Sequence, residues 1–264
     1  VRARNGMNAK LYRALDFVVV ADHAENFGLM RSLYNPDPNL IKTRIGKLIS
    51  DKYKMGEATS TSEKASDYMA WLGELGEVTD TDYRRSVWKR ATALADQFND
   101  PGVFTAFIGY EWTSWGEGAS FGNLHRIVVF KEGADKADQV LPFSRFDSVD
   151  PEDLWRHFEG YQQKTGGDVF SIPHNPNLSA GNMFNLSKLN GSSIDMAYAK
   201  KRSRWEPLVE VTQIKGDSET HALLSPQDDF ADYETWNSWR GVKLGSEWIK
   251  SENGKFKKGK EKVW

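Results

Sequence analysis

The chain predicts an α/β fold, and three observations lead there. Short, β-branched apolar runs recur along its 264 residues. Segments with apolar residues at helical spacing separate them, and turn or capping residues punctuate the joins. Hydrophobic residues make up 39% and charged residues 27% of the chain, so a single domain over 1–264 can bury a sizeable core. Strands alternating with helices predict a largely parallel sheet covered by helices.

The first predicted strand is the buried run Leu15 to Ala21, which ends in Asp22-His23-Ala24-Glu25. Residues of about 26–100 read as a helical insertion after it. Ile41, Ile45, Leu48 and Ile49 share one helical face, as do Val87, Ala91, Leu94, Ala95 and Phe98. Asn35-Pro-Asp-Pro38 and Thr79-Asp-Thr-Asp82 read as turn or capping clusters. Val103 to Tyr110 is the next buried strand, closing on Glu111-Trp112. A Gly/Ser-rich loop from Ser114 to Gly122 leads to His125-Arg126 and the strand Ile127 to Phe130. Over 150–164, Pro151 opens a helix, Leu154, Trp155, Phe158 and Tyr161 form its apolar stripe, and Gly166-Gly167 ends it. Asp168 to Ile172 is a strand closing on Pro173-His174-Asn175, and Leu208 to Ile214 is the last clear one.

Composition excludes several function classes. A net charge of -2 provides no basic field for nucleic acid. No apolar run approaches the roughly 20 residues of a membrane span. The absence of cysteine removes disulfides, zinc–thiolate sites and cysteine nucleophiles. The Lys-rich tail from Ser251 reads as a solvated end. Ten tryptophans are expected mainly in the core and groove walls, with an aromatic platform for a sugar or aryl ligand as the sharper alternative.

Chemistry concentrates at the strand ends. Of five histidines, His23, His125, His174 and His221 lie beside predicted strands or in their loops, whereas His157 sits within a helix and reads as structural. In α/β folds ligands gather at the carboxyl ends of strands. Imidazole and carboxylate together suit manganese, zinc or iron. Taken singly, each residue has a plainer role: a helix cap for Asp22, an arginine pair for Glu111. His174 is held in a stiff loop between two prolines. His125 follows the glycine loop, which suggests a hairpin returning it to the rim near Glu111.

Five stretches then carry a resemblance: Leu15 to Glu25, Phe107 to Trp112, Asn123 to Arg126, Ile172 to Asn175, and Val209 to His221. In this order they resemble a bacterial domain-of-unknown-function family of the PHP (polymerase and histidinol phosphatase) superfamily, some of whose members are arylsulfatase-like. The resemblance implies a distorted (β/α)7 barrel with a bi- or trinuclear metal centre. His23 would bind a peripheral metal, Glu111 would bridge two metals, and His125 and His174 would complete the second of those sites. Lys215, His221 and Gln213 have no general counterpart in the superfamily; expected at the same rim, they and Asn175 are read as binding an anionic ester. The superfamily's opening His-x-His pair and closing Asp-x-His have no counterpart here, so the barrel is expected to be incomplete and the chain an internal piece of a longer protein.

The implied activity is hydrolysis of phosphate or sulfate esters by a metal-activated water, with Glu111 and His174 as the catalytic residues. The Trp112–Trp115 region would wall an aryl leaving group. The alternatives are a glycan- or ligand-binding module without chemistry, or an inactive fragment of the hydrolase. A periplasmic or secreted location is expected over a cytoplasmic one.

Overall fold

The computed structural model describes residues 2, 6–8, 10–34, 37–48, 80–115, 122–179, 181–213, 216–218, 225–231, 238–239, 242–243, 248–250 and 256–258. The fold is mixed α/β, with small sheets and several α-helices among the described residues. Strand β1 (Phe17–Val19) pairs in parallel with β2 (Thr105–Phe107). Strands β3 (Gly109–Trp112), β4 (Arg126–Phe130) and β5 (Val169–Pro173) form a sheet in that order. The parallel register of Phe17 with Thr105 reappears further along the chain as the bridge of His23 with Glu111. Glu111 donates its backbone N–H to Asp22, and Ala24 donates to Glu111. One ladder therefore runs from β1 past β2 into β3.

The expected largely parallel sheet is corrected here. β4 is antiparallel to both β3 and β5. The residues between β3 and β4 hold no described helix, and an antiparallel return is what such a connection permits. Residues 131–168 leave β4 at the end of the sheet opposite the histidines and re-enter β5 at that same end. They climb to the rim, where the Trp112 indole N–H and the Ser114 hydroxyl donate to the Ser148 and Val149 carbonyls. They then descend as a helix. β1, β3 and β5 thus point to one rim, and β4 alone starts from it.

Local signals account well for the helices. Among them, α1 is Leu29–Tyr34 and α2 is Pro38–Lys42, the latter capped by the Asp37 carboxylate. Asp80 caps α3 (Thr81–Phe98) through the Tyr83 N–H. After α4 (Ala134–Ala137), α5 (Pro151–Thr165) has Asp150 as cap, proline in its first turn and left-handed Gly166 at its end. α6 (Met196–Trp205) follows β5. The predicted stripe of Leu154, Trp155, Phe158 and Tyr161 is buried against Tyr110, Val128, Phe130 and Val169. His157 is also in α5, half-buried with its ring 5.1 Å from Phe143, which suits a structural role.

Four sequence expectations are revised. Phe17 and Val20 are exposed, because β1 has a strand partner on one side only among the described residues. Leu40 rather than Ile41 packs inward beside Ile45, because extended Thr43 ends α2 and resets the helical phase. Leu94 and Phe98 are exposed, and burial on α3 shifts to Tyr83, Val87, Trp88 and Thr92. Of the run Leu208 to Ile214, Ile214 lies outside the described residues, and among the described ones only Thr212–Gln213 is a strand, pairing with Gly216–Asp217. Ile49, the cluster residues Asn35, Pro36 and Thr79, the middle of the expected helical insertion, most of the glycine loop and most of the Lys-rich tail lie outside the described residues.

A close approach fixes Gly109. A Cβ there would stand 2.4 Å from the Val128 carbonyl oxygen and 2.5 Å from a Val19 methyl. Gly109→Ala is expected to cost about 1–3 kcal/mol by overpacking. Urea unfolding should show a lower midpoint with an unchanged slope.

Candidate metal centre

Backbone register alone brings the site together. His23 is bridged to Glu111, Trp112 pairs with Arg126, and Arg126 pairs with Pro173. The His174 N–H then donates to the His125 carbonyl, and the Glu210 N–H to the Pro173 carbonyl. One row at the rim therefore reads His23, Glu111, His125, His174 and Glu210 across neighbouring chain segments. Side chains alternate faces along a strand. Tyr110, Trp112, Arg126 and Val128 take the helix-covered face, which leaves Glu111, His125 and His174 together on the other.

The geometry is that of a donor set. Glu111, His125 and His174 are buried, and each offers a ligand atom within 4.8 Å of the others. His125 Nδ1 is 3.0 Å from Glu111 Oε1, and His174 Nε2 is 3.5 Å from Oε2. Neither approach has hydrogen-bond geometry. Both His125 ring nitrogens and His174 Nε2 are buried without a hydrogen-bond partner among the described residues. Orphaned buried polar atoms of this kind are costly and point to an unseen partner. Donors held about 2.0–2.2 Å from one divalent ion stand roughly 3–4 Å apart, so the three residues fit such an ion with little movement.

Electrostatics favour the ligand forms. Burial by itself would raise the Glu111 carboxyl, but the His125 and His174 imidazoles outweigh it and hold it well below the usual carboxylate range. Burial lowers the His125 imidazole, against the opposing pull of Glu111. Glu111 is thus ionised and His125 neutral at neutral pH, the states that coordinate metal.

His174 is oriented from behind. Its Nδ1 lies 3.1 Å from the Asn175 side-chain amide and 3.7 Å from Glu210 Oε2. Asn175 is fully buried and left-handed (φ 46°), a conformation asparagine tolerates better than most residues. Its side chain is engaged by Asn123 at 2.9 Å, and its N–H donates to Glu210 at 2.5 Å. Gln213 donates to the same carboxylate at 3.1 Å. Asn175 and Gln213, expected beside a substrate, therefore stand in the network that aims His174. Such outer partners commonly contribute 10–100-fold in metal affinity. Glu210→Gln is expected to weaken manganese binding by about that factor. Titration calorimetry on the metal-free protein checks it, and an unchanged affinity would refute the positioning role.

His23 stands slightly apart. Its Nδ1 is 3.4 Å from Glu111 Oε1 and hydrogen-bonded to the Thr113 hydroxyl, which itself donates to Glu111 at 3.1 Å. Nδ1 is thereby engaged, and Nε2 lies on the far side of a ring whose side chain is 64% exposed. Lys215 and His221 lie outside the described residues. Trp112 is fully buried in the core, so it cannot wall a leaving group as expected. Trp115, with its ring 6.2 Å from His125, remains at the rim.

Sequence reasoning assigned no role to Glu210, Asn123, Thr113 or Glu25. Glu210 could have been found by the signal that marked Glu111, an acid within an apolar run. The other three act through contacts that only the fold creates.

Residues 1–259 match the sequence model of a family described as "Protein of unknown function (DUF3604)". No curated protein and no solved structure matches the chain.

Proposed function

Because the chain belongs to the DUF3604 family, whose description names no activity, we propose from the site itself that it is a metal-dependent hydrolase of phosphate or sulfate esters. The observation that carries this reading is the buried Glu111–His125–His174 group, with three ring nitrogens lacking hydrogen-bond partners among the described residues. The resemblance to the PHP superfamily supports the same reading and a PHP-type barrel around it.

Glu111, His125 and His174 would hold the ion, which is manganese, zinc or iron on this donor chemistry. When bound, it supplies Lewis acidity and a more acidic water near neutral pH. Water is added across the ester P–O or S–O bond, and the alcohol leaves. Glu111 contributes the negative charge of the donor set and touches both imidazoles. His174 keeps its Nε2 toward the site because Asn175 and Glu210 occupy the other side of its ring. His125, walled by burial, stays neutral. His23 Nε2 is available for a second ion, and Lys215 and His221 are assigned to the ester's anionic oxygens. A manganese-supported release of nitrophenol from an aryl sulfate or phosphate tests the reading. No turnover of either ester by the metal-loaded protein would overturn it.

A further inference from the structure

The segment 144–149 is latched to the rim from several directions. The Arg145 N–H donates to Glu25 Oε1 at 2.7 Å, and the Ser144 N–H donates to Asp147 at 2.8 Å. The Trp112 indole and the Ser114 hydroxyl hold the carbonyls of Ser148 and Val149. So many fixed bonds make this a rigid platform. The Arg145 guanidinium on it has no carboxylate partner among the described residues. It lies 4.4 Å from the centre of the Trp115 ring and 5.5 Å from that of Phe146. Two aromatic faces hold the guanidinium but give its N–H donors no acceptor, and none is supplied by the described residues.

Two separate paths tie Arg145 to the candidate centre. Through its side chain, the Trp115 ring stands 6.2 Å from the His125 ring. Through its backbone, Arg145 donates to Glu25, and the N–H of the adjacent Ala24 donates to the Glu111 carbonyl. Arg13 offers a contrast, since its side chain is 71% exposed and paired to Asp16. Arg145 is half-buried and stacked instead.

We propose that Arg145, stacked on Trp115, helps to recognise the anionic group of the substrate beside the metal centre. A guanidinium presents a planar fork of donors that matches two oxygens of a phosphate or sulfate. The ligand class is therefore a tetrahedral oxyanion or its monoester. The inference rests on the hydrolase reading for the anion's role as substrate, but anion binding can be measured without turnover.

The test uses the full chain loaded with manganese and titrated calorimetrically with inorganic phosphate. Arg145→Met keeps an apolar stem against Trp115 and removes the charge. It is expected to weaken phosphate binding at least about tenfold, a difference of about 1.4 kcal/mol. Arg145→Lys keeps the charge without the fork and should fall between the two. Manganese affinity should be unchanged in both variants. Wild-type phosphate affinity in both variants overturns the proposal and leaves the hydrolase reading intact. Loss of manganese together with phosphate in both also overturns it, because Arg145 would then be supporting the centre's structure. Selective loss of phosphate in a protein that hydrolyses neither ester supports the anion site and sinks the hydrolase reading alone.

Discussion

Glu111→Ala and His174→Ala are expected to lose divalent-ion binding and, with it, ester hydrolysis. Glu111 is the only carboxylate of the three-residue set, and both imidazoles approach its oxygens at 3.0 and 3.5 Å. Removing it leaves two imidazoles and no anionic donor in the set. Removing His174 takes away the ligand whose far side is held by Asn175 and Glu210. Either loss should exceed the roughly 10–100-fold effect of an outer-shell change such as Glu210→Gln. Elemental analysis after dialysis reads the ion content, and nitrophenol release reads the activity. Wild-type ion content and turnover in both variants would remove the assignment.

Glu206→Ala is expected to be the most damaging change for stability. The Glu206 carboxylate is almost fully buried, as is Arg126, whose Nε is 3.0 Å away. The same carboxylate accepts from the Trp155 indole at 3.1 Å and from Arg202 Nε at 3.1 Å. Arg126 also donates to the Leu124 carbonyl. Alanine would leave the Arg126 charge buried without its partner, which typically costs about 3–5 kcal/mol. That is a large share of the roughly 5–15 kcal/mol by which domains are stable. Urea unfolding in the presence of a chelator isolates the effect from metal binding. An apolar replacement of both residues, Arg126→Met with Glu206→Leu, should recover much of the loss, since a buried pair is often no better than well-packed apolar groups. A Glu206→Ala midpoint close to that of wild type would refute the argument.

The helices were legible because their signals are local. Asp37, Asp80 and Asp150 cap where carboxylates precede helices, and Gly166 ends α5 in the left-handed conformation that glycine adopts freely. The apolar stripe of α5 is buried as its spacing predicts. The phase break at Thr43 was not legible, because apolar spacing runs across it unchanged while the backbone turns extended.

The candidate site was legible in its ligands and less so in its support. Glu111, His125 and His174 follow from the placement of acids and histidines beside β-branched runs, and the hairpin expected to return His125 to Glu111 is the β3–β4 pairing. Glu210 reaches His174 only through the backbone bond to Pro173, and Glu25 meets Arg145 across 120 positions of sequence. No window of sequence contains such pairs.

By itself, then, the sequence determined the caps, the helix stripes, the strand-forming runs and the residues able to coordinate metal. Each depends on neighbours within a few positions. Tertiary structure decided that β4 runs against its neighbours, that Trp112 faces the core while Glu111 faces the rim, and which polar groups stand behind His174. Those outcomes depend on strand register, because a shift of one residue reverses every side chain's face. Register is set by pairing between distant segments, here the constant alignment of β1 with β2 and β3 that carries His23 to Glu111.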